Sequence, residues 1–212
     1  MVRRDIDRRS LVRGIGLIVT GSAFASVGTA KQQQSKDNGG ARDGSTSVLT
    51  DAERAGLLFM REEEKLARDV YLVLYDEYGL TVFQNIVESE ERHIDAMAAL
   101  LDKYDLEDPA TGEVGTFTND ELQHKYDTLV SRGRKSELEA LRVGGFIEEI
   151  DAIDIQEEID ATDNEDIERV YWNLLEGSKS HLRAFVDVLD FRGVTYDPQV
   201  LDQATYEQIV AA

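Results

Sequence analysis

Four long segments of the chain repeat apolar residues at steps of three and four, the spacing of one face of an α-helix. The sequence places these segments from Thr50 to Gly79, from about Thr81 to Tyr104, from about Ser136 to Asp160, and from Asp163 or Asn164 to about Phe191. The first opens with a Thr-Asp-Ala-Glu capping box and stops at a glycine. No alternating pattern of useful strand length occurs, so we predict an all-α protein.

The connections between these segments predict how the helices pair. Only Gly79 and Leu80 separate the first two helices, which must therefore be antiparallel neighbours. The stretch 105–117 contains Pro109 and two glycines, which is typical of a long crossover loop. A short helix follows, from about Asp120 to Val130. We therefore expect an antiparallel four-helix bundle whose long crossover carries a short extra helix.

Each predicted inner face carries a polar residue near its middle. These residues are Glu64 in the first helix, Glu90 and His93 in the second, Glu149 or Glu148 in the third, and Ser178 and His181 in the fourth. A buried charge is costly unless it is paired or coordinated, so these side chains need one another or a ligand. Glu64 and His93 both lie about 20 Å along their helices from the Gly79 turn, so they can meet.

Other features of these helices have more ordinary interpretations. Glu62 and Glu63 are expected to be solvated or paired with a neighbouring Arg61, Lys65 or Arg68. His124 is expected to be an exposed surface histidine. Two adjacent glycines, at 144 and 145, each cost a helix about 1 kcal/mol and predict a close helix contact or a kink.

Composition narrows the choice of partners and ligands. The formal net charge of -20 excludes nucleic acid and anionic membranes as obvious partners. It favours the acidic, solvated surface of a salt-adapted, halophilic-type protein over a surface that gathers cations. The chain has no cysteine, which excludes disulfides, thiolate metal sites and cysteine nucleophiles. Carboxylates and imidazoles that converge in a bundle core suit first-row transition metals, iron especially.

The first thirty residues predict an export signal. Arg8-Arg9-Ser10-Leu11 precedes a moderately apolar run that ends in small residues, which resembles the twin-arginine type. An ordinary Sec signal or an uncleaved anchor is the alternative. The apolar run is too short for stable membrane insertion. We divide the chain into the signal 1–30, a disordered linker 31–49, the bundle 50–191 and a tail 192–212 with a short helix, and expect an extracellular or cell-surface protein.

Four stretches carry a resemblance to a known family: REEEKLARDVY, NIVESEERHIDAM, GFIEEIDAIDI and NLLEGSKSHLRAF. With them, the chain from Thr50 to Phe191 resembles the ferritin-like superfamily and is similar to the DUF2202 domain family. The resemblance implies the metal ligands Glu64, Glu90, His93, Glu149 and His181, with Tyr71 as a supporting hydrogen-bond donor or electron relay. The chain departs from the pattern at Ser178, where a second Glu-x-x-His motif would have its glutamate.

The resulting hypothesis is an exported, ferritin-like protein that binds a transition metal, iron before others, as one or two ions and performs redox chemistry with oxygen or peroxide. Ser178 leaves three outcomes open: one metal, two metals with open positions, or none held stably. The alternative hypothesis is a non-catalytic helical surface module that kept the fold and lost full metal chemistry. A homodimer is left open, and the electron donor is not specified by the sequence.

Overall fold

The computed structural model describes residues 48–212, so the predicted export signal and most of the predicted linker lie outside the described residues. Within that range the protein contains six helices and no strand, which confirms the all-α prediction. The helices are α1 (Asp51–Tyr78), α2 (Thr81–Lys103), α3 (Asp120–Gly133), α4 (Glu137–Ala161), α5 (Glu165–Phe191) and α6 (Gln203–Val210).

The four long helices form two pairs. Helix α1 begins at the Thr50 capping box and ends at Gly79, whose positive φ of 67° turns the chain directly into α2. Helices α4 and α5 form the second pair, joined by the short connection 162–164. Contacts of α1 with α4 and of α2 with α5 bring the two pairs face to face. The inner surfaces of all four helices therefore meet along one core.

The apolar core consists of two clusters. One contains Tyr71, Phe83 and Phe185, whose rings pack with centroids 5.4 to 5.8 Å apart. The other contains Met60 and Met97, which lie one turn from Glu64 and His93 on their helices. The polar residues therefore sit between two apolar clusters. Among the described helices, none combines the length and apolar character needed to cross a membrane.

The glycine pair of α4 marks close contacts on two sides of that helix. A Cβ at Gly144 would lie 2.4 Å from the Phe185 ring, and one at Gly145 would lie 2.7 Å from the Tyr196 ring. Helix α4 therefore packs against α5 on one side and against the C-terminal tail on the other. Its residues are buried on more than one face, and Val143, Ile147 and Ala152 are all buried.

The crossover is anchored on α1 by charged residues that are all buried. We call Glu62, Glu63, Lys65 and Asp69 the crossover face of α1. The Glu62 carboxylate accepts hydrogen bonds from the backbone N–H groups of Thr118 and Asn119, at the start of α3.

The remaining residues of the crossover face contact α3 and the loop before it. Glu63 pairs with Lys125 of α3 at 2.9 Å. The Lys65 ammonium donates to the carboxylate of Asp69 and to the carbonyl oxygens of Glu113 and Thr116. The expectation that Glu62 and Glu63 are solvated or paired with neighbours on α1 is therefore wrong. Distant residues of the crossover bury them, and the spacing along α1 carries no sign of that.

Candidate metal centre

Three side chains from α1 and α2 form the first ligand group: Glu64, Glu90 and His93. The Nδ1 atom of His93 lies 2.9 Å from Glu90 Oε2 and 3.2 Å from Glu64 Oε2. The two carboxylates are buried, whereas the His93 side chain is 12% exposed. The sequence predicts that these three residues meet, and the structure brings them together.

Glu90, Glu148 and His181 form the second ligand group. The Nδ1 atom of His181 lies 2.9 Å from Glu90 Oε1 and 3.5 Å from Glu148 Oε2. The two imidazole rings stack, with centroids 5.6 Å apart. Because Glu90 presents one oxygen to each histidine, the two groups share it and form one continuous cluster.

Tyr71 supports this cluster from α1. Its hydroxyl donates a hydrogen bond of 2.6 Å to Glu148 Oε1 and is fully buried. Burial, together with the negative charge of Glu148, raises the pKa of Tyr71 well above its usual value, so the tyrosine stays a donor. One oxygen of Glu148 is thus fixed, and the other is directed toward His181.

The carboxylates of the cluster raise the pKa values of both histidines. Burial lowers the pKa of His93, but hydrogen bonds to Glu64 and Glu90 outweigh it and raise that pKa to about 11. Burial opposes protonation of His181 too, and Glu148 and Glu90 raise its pKa to about 10.

The carboxylates respond in opposite directions. Burial raises the pKa of Glu64 to about 8 and also raises that of Glu148. Burial acts the same way on Glu90, but its contacts with both histidines outweigh it and lower the pKa of Glu90 to about 2. The cluster therefore binds positive charge strongly, and Glu90 is the anion at its centre.

Several atoms of the cluster lack a hydrogen-bond partner among the described residues. They are Glu64 Oε1, Glu90 Oε1, Glu148 Oε2 and His181 Nδ1, all with less than 1 Å² exposed. Glu90 Oε1 and His181 Nδ1 are close enough for an ion pair but are not aligned for a hydrogen bond. Buried polar atoms are rarely left in this state, and a bound ion is one of the standard explanations.

The same atoms have the geometry of metal ligands. Within each ligand group, one donor atom from every residue lies within 4.8 Å of the others, a separation that a single ion can bridge. The donors are carboxylate oxygens and imidazole nitrogens, which suit iron, manganese or zinc. The residues present therefore fit a transition metal.

Glu149 does not belong to this cluster. Its carboxylate accepts hydrogen bonds from the Tyr196 hydroxyl and from the backbone N–H groups of Gln199, Val200 and Leu201. It therefore faces the tail and is in neither group of residues within ligand distance of the histidines. The preference for Glu149 over Glu148 is corrected: Glu148 is the residue of α4 that reaches the cluster.

Ser178 is buried but is not directed at the carboxylates. Its hydroxyl donates a 3.2 Å hydrogen bond to the carbonyl oxygen of Leu174, one turn earlier in α5. The neighbouring Gly177 leaves room for His93, since a Cβ there would lie 2.5 Å from the His93 ring. Helix α5 thus contributes one ligand-type side chain, His181, and small residues beside it.

Comparisons with known proteins place this arrangement in a family. The sequence profile of an uncharacterized protein domain, DUF2202, matches residues 53–212. The uncharacterized protein MJ0754 of Methanocaldococcus jannaschii is 47% identical over 165 residues, which are 77% of this chain and 89% of that protein. The crystal structure of hypothetical protein MJ0754 is similar with a TM-score of 0.76 and 47% identity, over 77% of this chain and 94% of that one. The profile extends past Phe191, so the tail is part of the family's domain.

Proposed function

The chain belongs to the DUF2202 family, and we propose that it is a metal-binding protein whose centre lies between its two helix pairs. The proposed ligands are Glu64, Glu90, His93, Glu148 and His181. Buried oxygens of Glu64, Glu90 and Glu148 carry this proposal, because none of the three has a hydrogen-bond partner among residues 48–212. The paired helices and central ligands agree with a ferritin-like four-helix bundle, which we include in the proposal.

Two ions suit the ligand set better than one. The first ligand group and the second ligand group each supply one histidine and one carboxylate of their own. Glu90 offers a separate oxygen to each group, so it can bridge two ions. Mixed carboxylate and imidazole ligands without thiolate favour iron, with manganese next.

The surrounding residues prepare the centre for such ions. Tyr71 holds one oxygen of Glu148, which leaves the other free to bind. The apolar clusters on either side exclude water, and the partly exposed edge of His93 is the most accessible part of the ligand set. Iron bound here would supply one-electron chemistry toward oxygen or peroxide. We extend the proposal to export by the twin-arginine route, which carries folded proteins and so suits a protein with a metal already bound.

Two glutamates on the same helix provide a matched test. Glu64→Gln removes a proposed ligand, and Glu62→Gln changes an equally buried carboxylate that binds backbone N–H groups of the crossover. Metal-free protein is titrated with Fe²⁺ under anaerobic conditions and followed by calorimetry. We expect Fe²⁺ affinity to fall at least tenfold in Glu64→Gln and to stay at the parent value in folded Glu62→Gln. Equal affinities in both variants and the parent would contradict the assignment of Glu64.

The second candidate function is a helical surface module without metal. The raised pKa values of His93 and His181 favour it, because two imidazolium groups could offset the carboxylates without any ion. The double variant with Glu90→Ala and His93→Ala separates the two functions in thermal unfolding. A loss of stability confined to metal-loaded protein supports the metal centre, and an equal loss in the presence of a chelator supports the module.

A further inference from the structure

The C-terminal tail binds α4 at Glu149, the residue that follows the proposed ligand Glu148. Glu149 is fully buried and accepts hydrogen bonds from four donors of the tail, in Tyr196, Gln199, Val200 and Leu201. Three of these donors are backbone N–H groups of consecutive residues, so the carboxylate fixes the path of the tail as well as its own position.

This contact extends along two turns of α4. The Tyr196 ring packs against Gly145, which has no Cβ to obstruct it. The side-chain amide of Gln199 donates to the carbonyl oxygen of Arg142 and to the Tyr196 hydroxyl. Positions 142, 145 and 149 lie on one face of the helix, so the tail holds α4 at a defined rotation about its axis.

The rotation of α4 decides where Glu148 points. Consecutive residues of an α-helix are about 100° apart, so the face that binds the tail through Glu149 and the face that presents Glu148 turn together. Glu148 is 3.5 Å from His181, and Tyr71 holds its other oxygen. A turn of α4 away from the tail would therefore draw Glu148 away from His181.

The tail is tied to α5 as well as to α4. Arg183 of α5 donates to the carbonyl oxygen of Ile209 in α6, and the Tyr206 hydroxyl donates to the carbonyl oxygen of Tyr196. Of the described helices, α6 packs on α5 only. The tail therefore joins the two helices that carry Glu148 and His181, whereas the crossover helix α3 packs on α1 and α4.

We propose that Glu149 is a positioning residue that couples the tail to the second ligand group and leaves the first ligand group independent of it. The predicted effect on metal binding rests on the proposed metal centre, because it requires two bound ions that respond differently to one change in the tail. Its structural part, the placement of Glu148 beside His181, can be tested without metal.

The metal-free test uses the histidine signals. The chain has three histidines, His93, His124 and His181, so a proton–carbon NMR spectrum of the imidazole groups has three sets of signals to assign with His→Gln variants. In Glu149→Gln, we expect the chemical shift of His181 to change by more than those of His93 and His124. The control is Glu53→Gln, which alters another buried carboxylate, bonded to Thr50 and Thr162 at the far end of α1. An unchanged His181 signal, or the same shift in Glu53→Gln, would overturn the proposal.

The second test counts ions. Anaerobic Fe²⁺ titration of Glu149→Gln should keep one site at the parent affinity and weaken the other by about tenfold to a hundredfold, the usual range for residues that orient a ligand. Equal weakening of both sites, or of neither, would overturn the proposal. If the parent binds no Fe²⁺, the metal centre fails on its own and the histidine signals still decide the positioning role. Should Glu149→Gln not fold, Gln199→Ala removes the two hydrogen bonds of the Gln199 side chain and should produce the same changes at smaller size.

Discussion

Two regions of the described structure each bury several charged side chains, and their carboxylates differ in the partners they find. The crossover face of α1 pairs Lys65 with Asp69 and Glu63 with Lys125, and Glu62 binds backbone N–H groups. In the central cluster, three carboxylates face two histidines, and unpartnered oxygens remain on each carboxylate. Burial alone therefore does not indicate a metal ligand. Burial together with missing partners and with other ligand-type atoms within 4.8 Å does.

The pair of Glu63 with Lys125 is the least complete one on the crossover face. Glu63 Oε1 accepts from Lys125, and Glu63 Oε2 has no hydrogen-bond partner among the described residues. Burial and the charge of Glu63 raise the pKa of Asp154 to about 8, so a protonated Asp154 can donate a hydrogen bond to Glu63. Glu63 thus has an ammonium group and a proton donor beside it, whereas the carboxylates of the central cluster have two histidines.

The largest effect is expected on the crossover face. Asp69→Asn removes the carboxylate that pairs with Lys65 and Arg68, and it leaves the buried Lys65 ammonium without its anion. We expect a loss of about 3–5 kcal/mol in the free energy of unfolding, as for other broken buried pairs. Urea unfolding should give the same loss with and without added Fe²⁺. A loss that depends on Fe²⁺ would show that the two regions are not separate.

The next largest effect is expected at Glu90, the proposed ligand that both groups share. Metal at about a hundredfold excess over its dissociation constant should stabilise the parent by about 2.7 kcal/mol. Glu90→Gln should abolish that increment, because Glu90 contacts both histidines and serves both ligand groups. Thermal unfolding of parent and variant, each with Fe²⁺ and with a chelator, measures it. A Glu90→Gln protein that keeps the increment would contradict the bridging role.

These two regions differ in how far the sequence could predict them. The matched depth of Glu64 and His93 follows from the Gly79 turn, and the structure brings them together. The partners of Glu62 and Glu63 lie in the crossover, more than fifty residues away, and a loop of that length leaves its contacts undetermined by spacing.

The choice between Glu148 and Glu149 could not be made from periodicity. Helix α4 is covered by the core on one side and by the tail on the other, so its apolar residues do not mark a single inner face. The family resemblance implies Glu149 as the ligand, and the sequence places Glu149 beside the apolar residues Phe146, Ile150 and Ile153. Only the tail, whose bonds to Glu149 come mainly from backbone N–H groups, separates the two residues.

A smaller effect should appear in the pH dependence of stability. The pKa of Asp154 is about 8 in the folded protein against an ordinary value of 3.8, so folding retains a proton that the unfolded chain releases above pH 4. This contribution to stability is fully present below about pH 4 and is lost as the pH rises toward 8. Asp154→Asn should flatten the stability profile over that window by about 1 kcal/mol per pH unit, since one retained proton is worth about 1.4 kcal/mol per pH unit and Asp154 is only partly buried. Urea unfolding at pH 5, 6, 7 and 8 measures it, and parallel profiles for parent and variant would contradict the assignment.

The smallest effect is expected at Ser178. Its hydroxyl is bonded to the carbonyl oxygen of Leu174 and takes no part in the cluster. Ser178→Ala should therefore leave Fe²⁺ affinity unchanged and alter the free energy of unfolding by no more than about 1 kcal/mol. Anaerobic calorimetry checks the affinity. A tenfold loss of Fe²⁺ affinity would contradict this prediction and would make Ser178 a second ligand from α5, beside His181.

The central claim is that unsatisfied buried carboxylates mark a metal centre, and elemental analysis tests it most directly. The measurement is the metal content per chain of folded protein isolated from its natural host, followed by Fe²⁺ titration of the metal-free protein. We predict two transition-metal ions per chain, iron before others, and rebinding of two Fe²⁺ ions. Protein that contains no transition metal and binds none on titration would contradict the claim.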